Sequence, residues 1–96
     1  EVKDAESGSL AVMLFKNLSK DEEQAYFCEG FSEDLISALS RFSSLTVVSG
    51  NASFSYRDKN MGPEEIGRDL GVRYILDGSV RKLGNKMRIS ASLIGA

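Results

Sequence analysis

The chain has no histidine, one cysteine (Cys28) and one proline (Pro63) among its 96 residues. Without histidine it lacks the side chain that most often moves protons near neutral pH. A lone cysteine cannot close an internal disulfide, which excludes a disulfide-stapled secreted scaffold and leaves the compartment open. No apolar run approaches the roughly 20 residues that a membrane-crossing helix needs. Nor is there an excess of charge of one sign. Twelve basic residues stand against 14 acidic ones, a net charge of −2. That is not the basic footprint of a DNA- or RNA-binding domain, and no nucleic acid partner is expected.

What is present suits one small domain. Hydrophobic residues make up 42% of the chain, enough for a core. The length allows one domain and not two. Residues 1–9 are polar and acidic and read as a linker or the edge of an excised segment, not as a signal peptide. Residues 10–96 read as the domain.

Leu10-Ala-Val-Met-Leu-Phe15 is a short continuous apolar run, as in a strand buried on both faces. Asn17 and Ser19 favour a turn and a cap after it. Over residues 21–42 the period changes. Phe27, Phe31, Leu35, Ala38, Leu39 and Phe42 recur at steps of three and four and predict one helical face. Asp21, Glu22 and Glu23 at its start and Arg41 at its end suit the helix dipole. The stripe keeps its register across Gly30, which predicts one helix. A restart at Ser32, a fair N-cap, is the alternative. Leu45-Thr-Val-Val48 reads as a second buried strand. Residues 49–62 read as an irregular connection anchored by Phe54 and Tyr56. Pro63 to Leu70 reads as a short helix, with Pro63 in the first turn and Gly71 as a left-handed stop.

The last third is a predicted hairpin. Tyr74, Leu76 and Val80 share one face of its first strand. Met87, Ile89, Ala91 and Leu93 alternate with Arg88, Ser90 and Ser92, which predicts a half-buried second strand. Gly84-Asn85 between them tolerates the positive φ of a tight turn. The whole order is β-α-β-α-β-β. It predicts an α/β fold with parallel pairing, right-handed crossovers and one antiparallel member, hence a mixed sheet.

Candidate chemistry is sparse. Glu33-Asp34 are adjacent carboxylates, but neighbouring helix residues point apart, and a solvated helix face accounts for them. Cys28 has no histidine base, which favours a small buried packing residue over a nucleophile. Gly78-Ser-Val-Arg-Lys-Leu-Gly-Asn-Lys86 resembles a phosphate loop only superficially, because it lies in a hairpin and not before a helix. Gly78 reads instead as a bulge or close backbone approach. Arg81, Lys82, Lys86 and Arg88 cluster by the turn and read as solvation and edge protection. Phe54 and Tyr56 read as loop anchors before a ligand stack. No catalytic, cofactor-binding or metal site is predicted, and no partner-binding residue is assigned.

Taken together, Ala11-Val-Met-Leu-Phe-Lys-Asn-Leu-Ser19, Glu23-Gln-Ala-Tyr-Phe27, Gly30-Phe-Ser-Glu-Asp-Leu-Ile36 and Leu39-Ser-Arg41 resemble the TolB N-terminal-like domain. The resemblance is to the version in bacterial adenylate/guanylate cyclases and regulators with tetratricopeptide repeats. Ser53-Phe-Ser-Tyr56, Glu65-Ile-Gly-Arg68 and Leu70-Gly-Val-Arg-Tyr-Ile-Leu-Asp-Gly-Ser-Val-Arg81 continue it. It implies a three-layer α/β sandwich with a mixed sheet of the anticodon-binding-domain type. Leu14 stands where the family usually has proline, so the first strand is expected to run on more regularly. The family also continues past the equivalent of Leu93-Ile-Gly-Ala96 into a tryptophan-containing strand, which implies an open last edge and, through it, a homodimer.

The resemblance implies a non-catalytic sensory or protein-interaction module of a bacterial signalling protein, most often an adenylate/guanylate cyclase. Its partner would be a protein or a neighbouring domain, without cofactor. The location would be cytoplasmic in a cyclase. The alternative is a periplasmic scaffold domain that binds a protein, as in TolB.

Overall fold

The computed structural model describes residues 8–19, 21–57 and 59–95. Most of the expected linker, residues 1–7, lies outside the described residues. Ser9 does not belong to a linker. It opens strand β1 (Ser9–Val12) and its Oγ accepts the backbone N–H of Arg73 at 2.9 Å.

The remaining elements are β2 (Lys16–Asn17), α1 (Glu22–Leu39), β3 (Thr46–Val47), α2 (Gly50–Phe54), α3 (Pro63–Leu70), β4 (Tyr74–Leu83) and β5 (Lys86–Gly95). β1 pairs in parallel with β3 on one side and with β4 on the other, while β5 runs antiparallel along the whole of β4. β2 also pairs in parallel with β4. Since β5 fills one edge of β4, β1 and β2 share the opposite edge. The sheet is mixed, as the alternation of strands and helices predicted, and the fold is the three-layer α/β sandwich that the resemblance implied.

The first strand does not run on regularly. Val12 stands opposite Leu76 and Lys16 opposite Ser79, so residues 13–15 face only Asp77 and Gly78. One extra residue makes a bulge, and a bulge reverses which face the following side chains take. Leu10 and Val12 lie in the core under α1, Ala11 and Met13 in the core on the other side, and Phe15 returns to the α1 side. Leucine at position 14 therefore does not remove the break.

α1 is one helix across Gly30, and Asp21 caps it by accepting the N–H of Glu23 at 3.0 Å. Asn17 supports that cap, donating from Nδ2 to the Asp21 carbonyl at 2.8 Å. The helix stops at Leu39, so Arg41 falls outside its last turn. The face it buries is rotated from the expected one. Gln24, Cys28 and Ser32 are its buried residues, Phe31, Leu35 and Leu39 are half-buried, and Ala38 and Phe42 are exposed. The cause is Phe15. Its ring meets Phe31 edge-on at 5.3 Å and fills the space beneath the helix, so small side chains take the closest approach. Ser32 Oγ accepts the N–H of Phe15 at 3.0 Å and donates to the Cys28 carbonyl at 2.7 Å. The amide of Phe15, at the bulge, is thus satisfied by the helix instead of by the sheet.

Gly78 completes this arrangement from below. A Cβ there would stand 2.4 Å from the Phe15 ring and 2.2 Å from the Ser90 carbonyl oxygen. Close approach, not a bulge in its own strand, explains this glycine, since the β4–β5 register is unbroken from Tyr74 to Leu83.

Residues 49–62 are not wholly irregular. Ser49 caps the short helix α2, accepting the N–H of Ala52. The second predicted helix holds its expected limits: Pro63 stands in the first turn and Gly71, at φ 74°, ends it. The second core, on the α3 side, gathers Ala11, Ile66, Val72 and Ile75, with Tyr56, Met61 and Ile94 against it.

Candidate functional site

Two surfaces stand out, and the sheet topology makes both. The first is a cleft of about 750 Å³ beside the bulge, between the start of α1 and the connection leading into α3. Phe15, Met61 and Ile66 give it apolar walls, while Lys16, Arg57, Lys59 and Glu29 bring charge to it. Arg57 Nη1 pairs with Glu29 Oε2 at 3.4 Å, both side chains half in solvent. The Lys59 ammonium stands 5.0 Å from the centre of the Tyr56 ring. Tyr56 donates its hydroxyl to the Asp69 carboxylate, and this bond holds the phenol proton and raises its pKa. Such a lining offers apolar contact and charge side by side, and among the described residues it sets no general base beside a nucleophile.

The second surface is β5. Its residues are exposed from Lys86 to Gly95 except Ile94, which is half-buried. Met87, Ile89 and Leu93 are 42%, 43% and 62% exposed, and they project from the face that α1 covers farther along the sheet. Their backbone matters as much as their side chains. Leu83 and Lys86 flank the two-residue turn, with Gly84 at φ 61°. A closing pair of this kind exchanges both backbone hydrogen bonds, and the pattern then alternates. Lys86, Arg88, Ser90, Ser92 and Ile94 thus turn N–H and C=O toward β4. Met87, Ile89, Ala91 and Leu93 turn theirs outward, where no strand pairs with them among the described residues.

The residues singled out from sequence fall as follows. Glu33 and Asp34 are exposed on α1. Among the described residues no three cysteine, aspartate or glutamate side chains gather as a metal site. Cys28 is buried, and burial raises its thiol pKa. The four cations by the turn are not one patch. Arg81 stands opposite Arg88 on one face of the hairpin, and Lys82 opposite Met87 on the other. Phe54 and Tyr56 are half-buried; Tyr56 packs into the α3-side core. No described helix is long and apolar enough to cross a membrane. The cleft was missed from sequence because it joins residues from the bulge, α1 and the stretch around Met61, with no shared spacing.

The sandwich is one shared with bacterial lipoproteins. Lipoprotein GNA1162 from Neisseria meningitidis superposes with a TM-score of 0.67 at 16% identity, over 92% of this chain and 72% of that one. E. coli LpoB superposes with a TM-score of 0.65 at 20% identity, over 92% of this chain and 50% of that one. At these identities the likeness is one of fold alone. In sequence, the chain is 48% identical over 86 residues to "Putative adenylate cyclase 3" of Rhizobium meliloti (strain 1021). That match takes in 90% of this chain and 15% of the relative's length. No family model matches the chain.

Proposed function

We propose that this chain is a non-catalytic interaction or sensory module of a bacterial cyclic-nucleotide signalling protein. In this reading the described residues from Ser9 onward belong to a single TolB N-terminal-like domain. The carrying observation is the 48% identity to a segment of a much longer adenylate cyclase-named protein. The character of the two surfaces supports it: one is a mixed cleft and the other an open strand, and both are suited to contact. Any cyclisation of ATP would then belong to another part of the parent, and this domain would bias that part by binding a neighbour or ligand. The test is a cyclase assay on this fragment and on the parent with and without it. The fragment alone should make no cyclic AMP, and its deletion should change the parent's regulation while leaving a basal rate. Turnover by the fragment would refute the division of labour.

A second reading, an envelope domain that binds a protein partner, draws on the fold shared with the lipoproteins. Fractionation of the parent decides between them. A cytoplasmic output domain in the same polypeptide supports the first, and a lipid-anchored or periplasmic product the second.

A further inference from the structure

We propose that the cleft beside the bulge takes an extended, acidic peptide, which pairs in parallel with Lys16 on the outer edge of β2 and prolongs the row that β3 begins. The inference deepens the reading of this chain as an interaction module and rests on it. The two fail separately, because peptide binding is read on this chain alone and the division of labour is read in the cyclase assay.

The position of the cleft is the first observation. It takes walls from both layers, Cys28 and Glu29 from α1 and Ile66 from α3. A hollow bounded from both faces of a sheet lies at the sheet's margin. Phe15, Lys16 and Asn17 line it and no described residue of β5 does, so the margin is that of β2. β3 pairs with β1 only from Thr46 to Val47, and Ser49 then caps α2. The row beside β1 thus stops inside the chain, between two described elements, while the edge strand continues as β2.

The backbone of β2 is the second. Asn17 stands opposite Val80, and the Leu18 N–H donates to the Val80 carbonyl at 2.9 Å. In that parallel ladder Lys16 turns its own N–H and C=O toward β4. The N–H and C=O of a trans peptide point in opposite directions. The Phe15 carbonyl and the Asn17 N–H, which share peptide planes with Lys16, therefore turn away from β4. Among the described residues neither is bonded. An acceptor and a donor on either side of one residue are what a parallel strand requires: its N–H meets the Phe15 carbonyl and its C=O meets the Asn17 N–H. β3 runs beside β1 in the same sense.

The side chains define the occupant. Successive residues of an extended peptide point to opposite faces. Those on one face would meet Phe15 and Cys28, and those on the other Met61 and Ile66. Glu29 is engaged by Arg57. The other charges among the described lining residues are Lys16 and Lys59 against Asp77, which favours an acidic residue in a peptide that is otherwise apolar.

Random heptapeptides displayed on phage are the probe. A selected peptide, made chemically, should shift the amide signal of Asn17 and slow its hydrogen exchange. Methylating the peptide's nitrogens one at a time should weaken binding about tenfold, and only at alternate positions, where the N–H faces β2. Lys16→Glu, at an exposed site, should weaken binding several-fold with circular dichroism unchanged. Failure to select a binder, signal shifts centred on another surface, a methylation scan without alternation, or undiminished binding by K16E would each overturn the proposal.

Discussion

Val80 and Ile89 face each other across β4 and β5 on the same side of one sheet, yet Val80 is fully buried and Ile89 is 43% exposed. Leu76 and Leu93 repeat the contrast four residues along the strands: the first packs under α1 and the second is 62% exposed. Both members of each pair obey the same period of two. The difference lies in what is above them. α1 crosses β1, β2 and β4, and its small residues Cys28 and Ser32 settle over the Phe15 ring. β5 lies beyond that helix. Alternation in a strand therefore identifies the apolar face, while its cover is decided by where a crossover helix comes to rest.

The contrast breaks most severely at its centre. Gly78→Ala places a methyl group against both the Phe15 ring and the Ser90 carbonyl, and the carbonyl is backbone that cannot turn aside. It should cost about 3 kcal/mol or more in urea unfolding, at the top of the overpacking range. An unchanged midpoint would show that Phe15 does not sit where the fold requires. The next test sharpens the comparison by applying one chemical change to both regions. Ile75→Ala, at a fully buried site, should cost about 2–5 kcal/mol through transfer and cavity terms. Ile89→Ala should cost less than about 1 kcal/mol, since half its burial is missing already. Equal losses would mean that β5 is covered in solution. Ser32→Ala comes third. It removes the acceptor for the Phe15 amide and leaves a buried N–H unpaired, which should cost about 1–3 kcal/mol. Faster hydrogen exchange at Phe15 would accompany the loss.

How much of this was legible in the chain depended on the range of the signal. α3 was, because Pro63 and Gly71 specify its two ends by local backbone chemistry. The hairpin was too, because Gly84-Asn85 fixes a turn and the turn fixes the register. The bulge was not. Residues 10–15 are apolar throughout, so a reversal of faces at 13–15 leaves no trace in the pattern. The rotated face of α1 follows from that miss, since only the position of Phe15 makes Cys28 and Ser32 the residues of closest approach. α2 carries a cap signal in Ser49, but its five residues are too few to show a period. The open side of β5 and the cleft depend on tertiary placement, and nothing in local sequence reports it.

The buried region differs from the exposed one in a final, smaller respect: it holds the thiol. Burial raises the Cys28 pKa, because the thiolate is disfavoured away from water. The sign of the consequence follows from proton binding. Below the ordinary thiol value of about 8.5 both folded and unfolded chains keep the proton, and the contribution of Cys28 to stability is complete. As pH rises past that value the unfolded chain ionises first, so stability falls until the folded thiol also titrates. Cys28→Ala removes this dependence at the cost of a small cavity. Its stability should be lower than that of the parent chain at pH 7, and the gap should narrow as pH rises past about 8.5. The same protection should make Cys28 react with a thiol reagent far more slowly than a cysteine placed at Ser92 on the exposed strand. Equal reaction rates at the two positions would mean that α1 opens as readily as β5 lies open, and the distinction between the covered and uncovered halves of the sheet would then be one of appearance only.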